Sequence, residues 1–94
     1  MTTLLIRHKV EDFAKWKAVY DDVVSLRKES GNTGARLLRG ADNPNEIILL
    51  NEFPDIGKAR QFAQSEDLKQ AMQKAGVSDH PDMYFLDEVE STPF

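Results

Sequence analysis

Glu46-Ile47-Ile48-Leu49-Leu50-Asn51-Glu52-Phe53 is the stretch on which the fold turns. A strand with one wet face alternates apolar and polar residues. The unbroken run Ile47 to Leu50 instead predicts a strand covered on both sides. Just upstream, Asp42-Asn43-Pro44-Asn45 is a dense turn signal, and Ala35 to Ala41 reads as another strand. The two segments therefore form a hairpin.

Working outward, Thr3 to Lys9 alternates with Leu4, Ile6 and His8 on one face and Leu5, Arg7 and Lys9 on the other. Asp82 to Glu90 is a fourth strand, with Met83, Phe85 and Val89 on one face and Tyr84 and Leu86 on the other. The dipeptide His80-Pro81 biases His80 towards an extended backbone just before it. Between the first strand and the hairpin, Asp12 is a natural N-cap and Gly31 a natural C′ residue for one helix. Phe13, Trp16, Tyr20, Val23 and Leu26 make its apolar stripe, and Lys15, Lys17, Asp21, Asp22 and Lys28 lie off it. A second helical region opens at Pro54-Asp55 and carries Ala59, Phe62 and Ala63. Ser65 then supplies a fresh N-cap before Leu68, Met72 and Ala75, so this helix is broken or bent.

The order β-α-β-β-α-β is that of ferredoxin-like folds. It predicts one α+β domain over residues 1–94, with an antiparallel four-stranded sheet of order 4-1-3-2 and both helices on one face. The helix side receives Ile6, His8, Leu49, Phe53, Met83 and Phe85. The opposite side receives Leu5, Ile48, Leu50, Tyr84 and Leu86, with Arg7, Lys9, Glu46, Glu52 and Glu88 towards the strand ends. An exposed apolar face of that size is unusual in a monomer. Covering it would remove several hundred Å² from water, at roughly 25 cal/mol per Å² before association costs. The expectation is a homodimer, sheet against sheet.

Composition narrows the function classes. Ninety-four residues with 40% hydrophobic and 30% charged content suffice for one core. The net charge of −4 disfavours nucleic acid, which needs a concentrated basic face, and equally an anionic membrane surface. The chain has no cysteine, so disulfides and thiol nucleophiles are excluded. No signal-like or membrane-length apolar segment is visible, and the expected location is cytoplasmic.

Strand and helix ends place His8, Trp16, Tyr20, His80 and Met83 near one end of the helix–sheet layer. His8 is the candidate general base or orienter, and Tyr20 and His80 are candidate hydrogen-bond donors. Trp16, Met83, Asn51 and Asp87 are candidate ligand contacts, the last two directed to the helix side from strands flanking His8. A polar group there needs a partner, and a substrate, a water or Arg60 could supply it. The same aromatics also suit a core, and His80 also suits a loop cap. No local spacing such as His-x-x-x-His supports a metal, and no phosphate-binding glycine loop is present.

Arg7-His8-Lys9-Val10 followed by Phe13 and Trp16, then Ser65-Glu66-Asp67-Leu68 through Ala71, then Tyr84-Phe85-Leu86-Asp87-Glu88-Val89 carry a family likeness. With them the chain resembles the dimeric α/β-barrel superfamily, within it the antibiotic biosynthesis monooxygenase-like group, over almost its whole length. The resemblance implies a dimeric barrel and a cofactor-free oxygenase, cyclase or isomerase acting on a small carbonyl-containing or aromatic substrate. The alternative is a non-catalytic small-molecule-binding dimer. Haem-degrading relatives place a tryptophan before the break in helix two and a haem-ligating histidine beyond it; here those positions hold Phe62 and Met72. Haem chemistry is therefore not expected; the aromatic monooxygenases of the group also carry a tryptophan in that part of helix two, so Phe62, a candidate ligand contact, departs from their pattern too.

Overall fold

A computed structural model describes residues 1–78 and 80–93. The elements run β1 (Thr2–Lys9), α1 (Phe13–Asp22), α2 (Val24–Glu29), β2 (Gly34–Arg39), β3 (Glu46–Phe53), α3 (Ile56–Gln64), α4 (Glu66–Lys74) and β4 (Asp82–Asp87). The sheet is antiparallel in the order β2-β3-β1-β4, the predicted 4-1-3-2 read from its other edge. The fold is ferredoxin-like α+β. Among the described residues no helix is long and apolar enough to cross a membrane.

The register fixes both faces. On the helix side the rows are Ala35–Asn51–Leu4–Phe85 and Leu37–Leu49–Ile6–Met83, with His8 beside Ile47 at one end and Thr2 between Phe53 and Asp87 at the other. Leu4, Ile6, Ile47, Leu49 and Phe53 are buried there with Val10, Trp16, Val19, Ala59, Phe62 and Ala75. On the open side the central row is Arg36–Leu50–Leu5–Tyr84.

Side-chain caps set the helix starts. Asp12 Oδ1 accepts from the Ala14 N–H at 2.9 Å, and Asp55 Oδ1 accepts from the Lys58 N–H at 2.9 Å. Ser65 Oγ donates to the Phe62 carbonyl at 2.8 Å and accepts from the Leu68 N–H at 3.2 Å. One hydroxyl thus ends α3 and begins α4, at the break the sequence predicts. Gly31 and Gly76 adopt φ of +91° and +78° just after α2 and α4, where a side chain would be strained.

Beyond one-residue shifts at the starts of β1 and β2, three boundaries differ from expectation. The helix predicted from Asp12 to Gly31 is split at Val23 (φ −98°, ψ 21°). There two adjacent β-branched residues, Val23 and Val24, crowd the helix, and the Arg27 side chain takes the Tyr20 carbonyl at 2.6 Å. Strand β2 stops at Arg39 rather than Ala41, because Gly40 N–H donates to the Glu46 carbonyl and closes the hairpin. Strand β4 stops at Asp87 rather than Glu90, since Asp87 already pairs with Thr2, the first residue of β1. Val89 therefore leaves the sheet and is 99% exposed instead of joining the helix-side face.

Candidate functional site

His8 is the seventh residue of β1, and alternation turns it under the helices, where it is only 3% exposed. Neither ring nitrogen has a hydrogen-bond partner among the described residues. Burial pushes its pKa down from 6.5 to about 4, because the apolar surroundings disfavour the charged ring. The imidazole is therefore neutral at pH 7, with one N–H donor and one acceptor nitrogen uncommitted. Leaving such a group unsatisfied costs on the order of 1–3 kcal/mol.

Helix α1 lays its aromatic stripe beside this ring. Trp16 meets His8 at a centroid distance of 5.7 Å and 59°. Trp16 in turn stacks on Tyr20, 5.0 Å away with 18° between the planes. Tyr20 is covered by the Arg27 guanidinium, whose carbon lies 3.8 Å from the ring centroid. His8, Trp16, Tyr20 and Arg27 thus form a ladder from the buried sheet to the rim of the helices.

This ladder is one wall of a cavity that leaves about 50 Å³ for the centres of water-sized molecules. One such molecule needs roughly 10–15 Å³ on this measure, so there is room for a few, or for part of a small ligand. Asn51 from β3 is the other deep polar group. It is 1% exposed, accepts from Asn32 Nδ2 at 3.2 Å and donates to the Leu4 carbonyl at 3.5 Å. Helices α3 and α4 supply Phe62, Leu68, Ala71 and Met72 on either side of the Ser65 break. The remaining surface is almost wholly apolar. Such a space suits an apolar body carrying one or two oxygens that can face His8 and Asn51.

The structure gathers His8, Trp16, Tyr20, Asn51 and Phe62 around this cavity. It does not bring the other three predicted residues there. His80 and Met83 line a separate, open groove of about 470 Å³ beside Lys69 and Gln73, which shares only Leu68 and Met72 with the cavity. Met83 pairs with Ile6, and His80 precedes the strand, so neither faces the His8 ring across the cavity. Asp87 keeps its predicted parity, but its register partner is Thr2, six residues along β1 from His8. That is about 20 Å at strand rise. It is exposed and accepts from Thr2 Oγ1 at 3.3 Å, rather than lying deep. Arg60 sits over Phe85, and Asn32 rather than Arg60 supplies the side-chain partner of Asn51.

Two residues escape a reading by apolar stripes. Arg27 lines the cavity from α2, beyond the split at Val23 that separates it from Tyr20 on α1. Asn32 holds the site from a loop. Its N–H donates to the Arg27 carbonyl at 3.1 Å, and its Oδ1 accepts from the Gly34 N–H at 2.9 Å while its amide binds Asn51. The Asn-x-Gly spacing is a turn signal and names no site.

A model of the antibiotic biosynthesis monooxygenase family matches residues 3–74. The chain belongs to that family. No curated protein matches it, but solved structures do. A Bordetella bronchiseptica protein named for the same family superposes with a TM-score of 0.82 at 17% identity, covering 95% of this chain and 97% of its own. SnoaB, a cofactor-independent oxygenase from Streptomyces nogalater, superposes with a TM-score of 0.79 at 15% identity, covering 99% of this chain and 97% of its own. A Caulobacter crescentus protein, also named for the family, gives 0.74 at 18% identity over 95% and 90%. At these identities the likeness establishes the fold, and the family match covers β1 through α4, the elements that build the cavity.

Proposed function

We propose that the protein is a cofactor-independent oxygenase of the antibiotic biosynthesis monooxygenase family, acting on a small, mostly apolar, carbonyl-containing or aromatic substrate. The observation that carries this reading is His8: an imidazole buried in an apolar cavity with both nitrogens unpartnered among the described residues. Buried polar groups without partners are rare, and a group that receives its partner from a substrate accounts for one. The description of SnoaB as a cofactor-independent oxygenase on the same fold supports oxygen as co-substrate.

In this mechanism the neutral His8 accepts a proton from an activated C–H or O–H of the substrate. The same burial that lowers its pKa makes the step unfavourable alone, but the proton leaves an anion beside the new imidazolium. Attraction between the two in an apolar cavity offsets the desolvation. The electron-rich anion then reacts with O2; for an activated methylene, the products are a carbonyl and water. Trp16 and Phe62 flank the substrate body, Asn51 orients an oxygen, and Tyr20 closes the outer end.

The test is oxygen uptake with a panel of quinols and activated aryl ketones. General-base catalysis contributes about 10²–10⁴ in rate, so His8→Ala is expected to lower turnover at least a hundredfold. Full turnover by His8→Ala overturns the assignment of the base. Binding without oxygen uptake would favour the second reading, a non-catalytic small-molecule carrier.

The same proposal includes a homodimer through the open sheet face. Tyr84 and Leu86 are 56% and 42% exposed there, beside half-buried Leu5, Ile48 and Leu50. The charges at the rim are already paired within the protomer. Arg7 binds Glu46 at 3.1 Å and Asp82 at 3.2 Å, and Thr3 Oγ1 donates to Glu52 at 2.9 Å. A second copy can cover Leu5, Ile48, Leu50, Tyr84 and Leu86 with these pairs intact, provided that Arg36, at the β2 end of the central row, stays at the rim.

A further inference from the structure

A cationic residue is among those that line the cavity. Arg27 lines it from α2, and the guanidinium lies flat on Tyr20 at 3.8 Å, at the outer end of the ladder that begins at His8. Stacking fixes the plane of the guanidinium and leaves its edge for hydrogen bonding. One N–H is used: Nη1 donates to the Tyr20 carbonyl at 2.6 Å, closing the last turn of α1. Among the described residues no carboxylate lies within 4.0 Å of it, although Arg7 has two and Lys17 has one. The other nearby cation, Lys17, lies 5.7 Å from the Tyr20 ring and is held by Asp21 at 2.6 Å. A guanidinium carries five N–H donors, so Arg27 retains a face with charge and donors to offer.

The placement is also held from the backbone. The Asn32 N–H donates to the Arg27 carbonyl, and the Asn32 side chain binds Asn51. One loop residue therefore holds both the backbone of Arg27 and the side-chain amide of Asn51. Between these two residues the walls are apolar.

We propose that Arg27 is a specificity-determining residue that selects ligands bearing a carboxylate. This rests on the reading of the cavity as the ligand site and adds the class of ligand. The ligand has an apolar or aromatic body, a hydrogen-bonding oxygen towards His8 and Asn51, and an acid group on the guanidinium edge. The apolar interior rejects the charge, so the carboxylate stays at Arg27 and the body occupies the apolar space. Charge-assisted hydrogen bonds are about twice as strong as neutral ones, which favours the acid over its uncharged isostere.

Trp16 is the only tryptophan, so its fluorescence reports on the cavity alone. The experiment titrates the full chain with benzoate and with benzamide, and repeats both with Arg27→Gln and Arg27→Lys. In the wild type, benzoate is expected to bind at least tenfold tighter than benzamide, with a preference that shrinks at high salt. Arg27→Gln should bring the benzoate-to-benzamide ratio to about one, and Arg27→Lys should restore part of the preference. Equal affinities in the wild type overturn the role of Arg27 and leave the cavity reading standing. A preference that survives Arg27→Gln does the same. If neither probe changes Trp16 emission, both readings fall together. The wild-type ratio decides the question on its own even if a variant does not fold.

Discussion

The two faces of this sheet are built by the same four strands and the same alternation, yet they hold different things. The helix-covered face surrounds two polar side chains, His8 and Asn51, with apolar walls, and leaves one of them without a partner. The open face is apolar over Leu50, Leu5 and Tyr84 of its middle row, which Arg36 ends, and Arg7, Glu46, Asp82, Thr3 and Glu52 around it are paired with one another. The first arrangement keeps an uncompensated cost that a ligand can relieve. The second buries no unpartnered polar group and is suited to apolar cover. A buried group that lacks a partner marks chemistry, whereas a satisfied rim around apolar residues marks association.

The largest effect that would break this contrast is expected on the open face. Leu50→Asp places a carboxylate in the middle row and brings it near its copy in a sheet-to-sheet dimer. Breaking a buried environment with an unpaired charge costs about 3–5 kcal/mol, so dimerisation should weaken by more than a hundredfold. Sedimentation velocity reads this directly, and a variant that remains dimeric puts the association elsewhere.

The next effect concerns the covered face and is a matter of pH. His8 releases its proton at about 4 in the folded chain and at its ordinary value of 6.5 when unfolded. Between those values the unfolded chain binds the proton and the folded chain does not. Stability is therefore full above pH 6.5, falls as pH drops towards 4, and changes no further from this cause below it. The total loss is up to about 3 kcal/mol. Denaturant melts should show this slope in the wild type, and His8→Leu should remove it; an equal slope in the variant would assign the pH dependence to other groups.

The smallest effect lies in the helix layer that makes the covered face covered. Ser65→Ala removes the hydroxyl that caps α4 and closes α3, and should cost about 1 kcal/mol in thermal or denaturant unfolding. No measurable loss would mean that packing alone holds the break over the cavity.

Face assignments are legible from sequence because parity needs no register. The unbroken run at Ile47–Leu50 marks β3 as covered on both sides, and its bounds follow from the turn before it and Pro54 after it. Position along a strand is another matter. Asp87 and His8 share a face but sit at opposite ends of it, and only the pairing of Thr2 with Asp87 shows this. Chain order also puts His80 and Met83 near His8, whereas in the fold they line another groove with α4. The split at Val23 is hidden in the sequence because Val23 and Leu26 continue the stripe whether or not the helix is broken. Arg27 and Asn32 are hidden because a helical arginine and a turn asparagine are ordinary surface residues until tertiary packing turns them inward.

The sheet is also assembled out of chain order. Its central strand, β1, is the first made, yet its two neighbours are β3 and β4, and the Thr2–Asp87 contact spans 85 positions. Leu4 and Ile6 therefore wait through most of synthesis for both partners. Long-range pairing of this kind slows folding, because loop-closure entropy is spent before the contacts form. Until β4 arrives, one edge of β1 is open, with apolar residues on both faces, and a neighbouring nascent chain presents the same edge. The strand that carries His8 into the cavity is thus also the segment of this protein most exposed to mispairing during its own production.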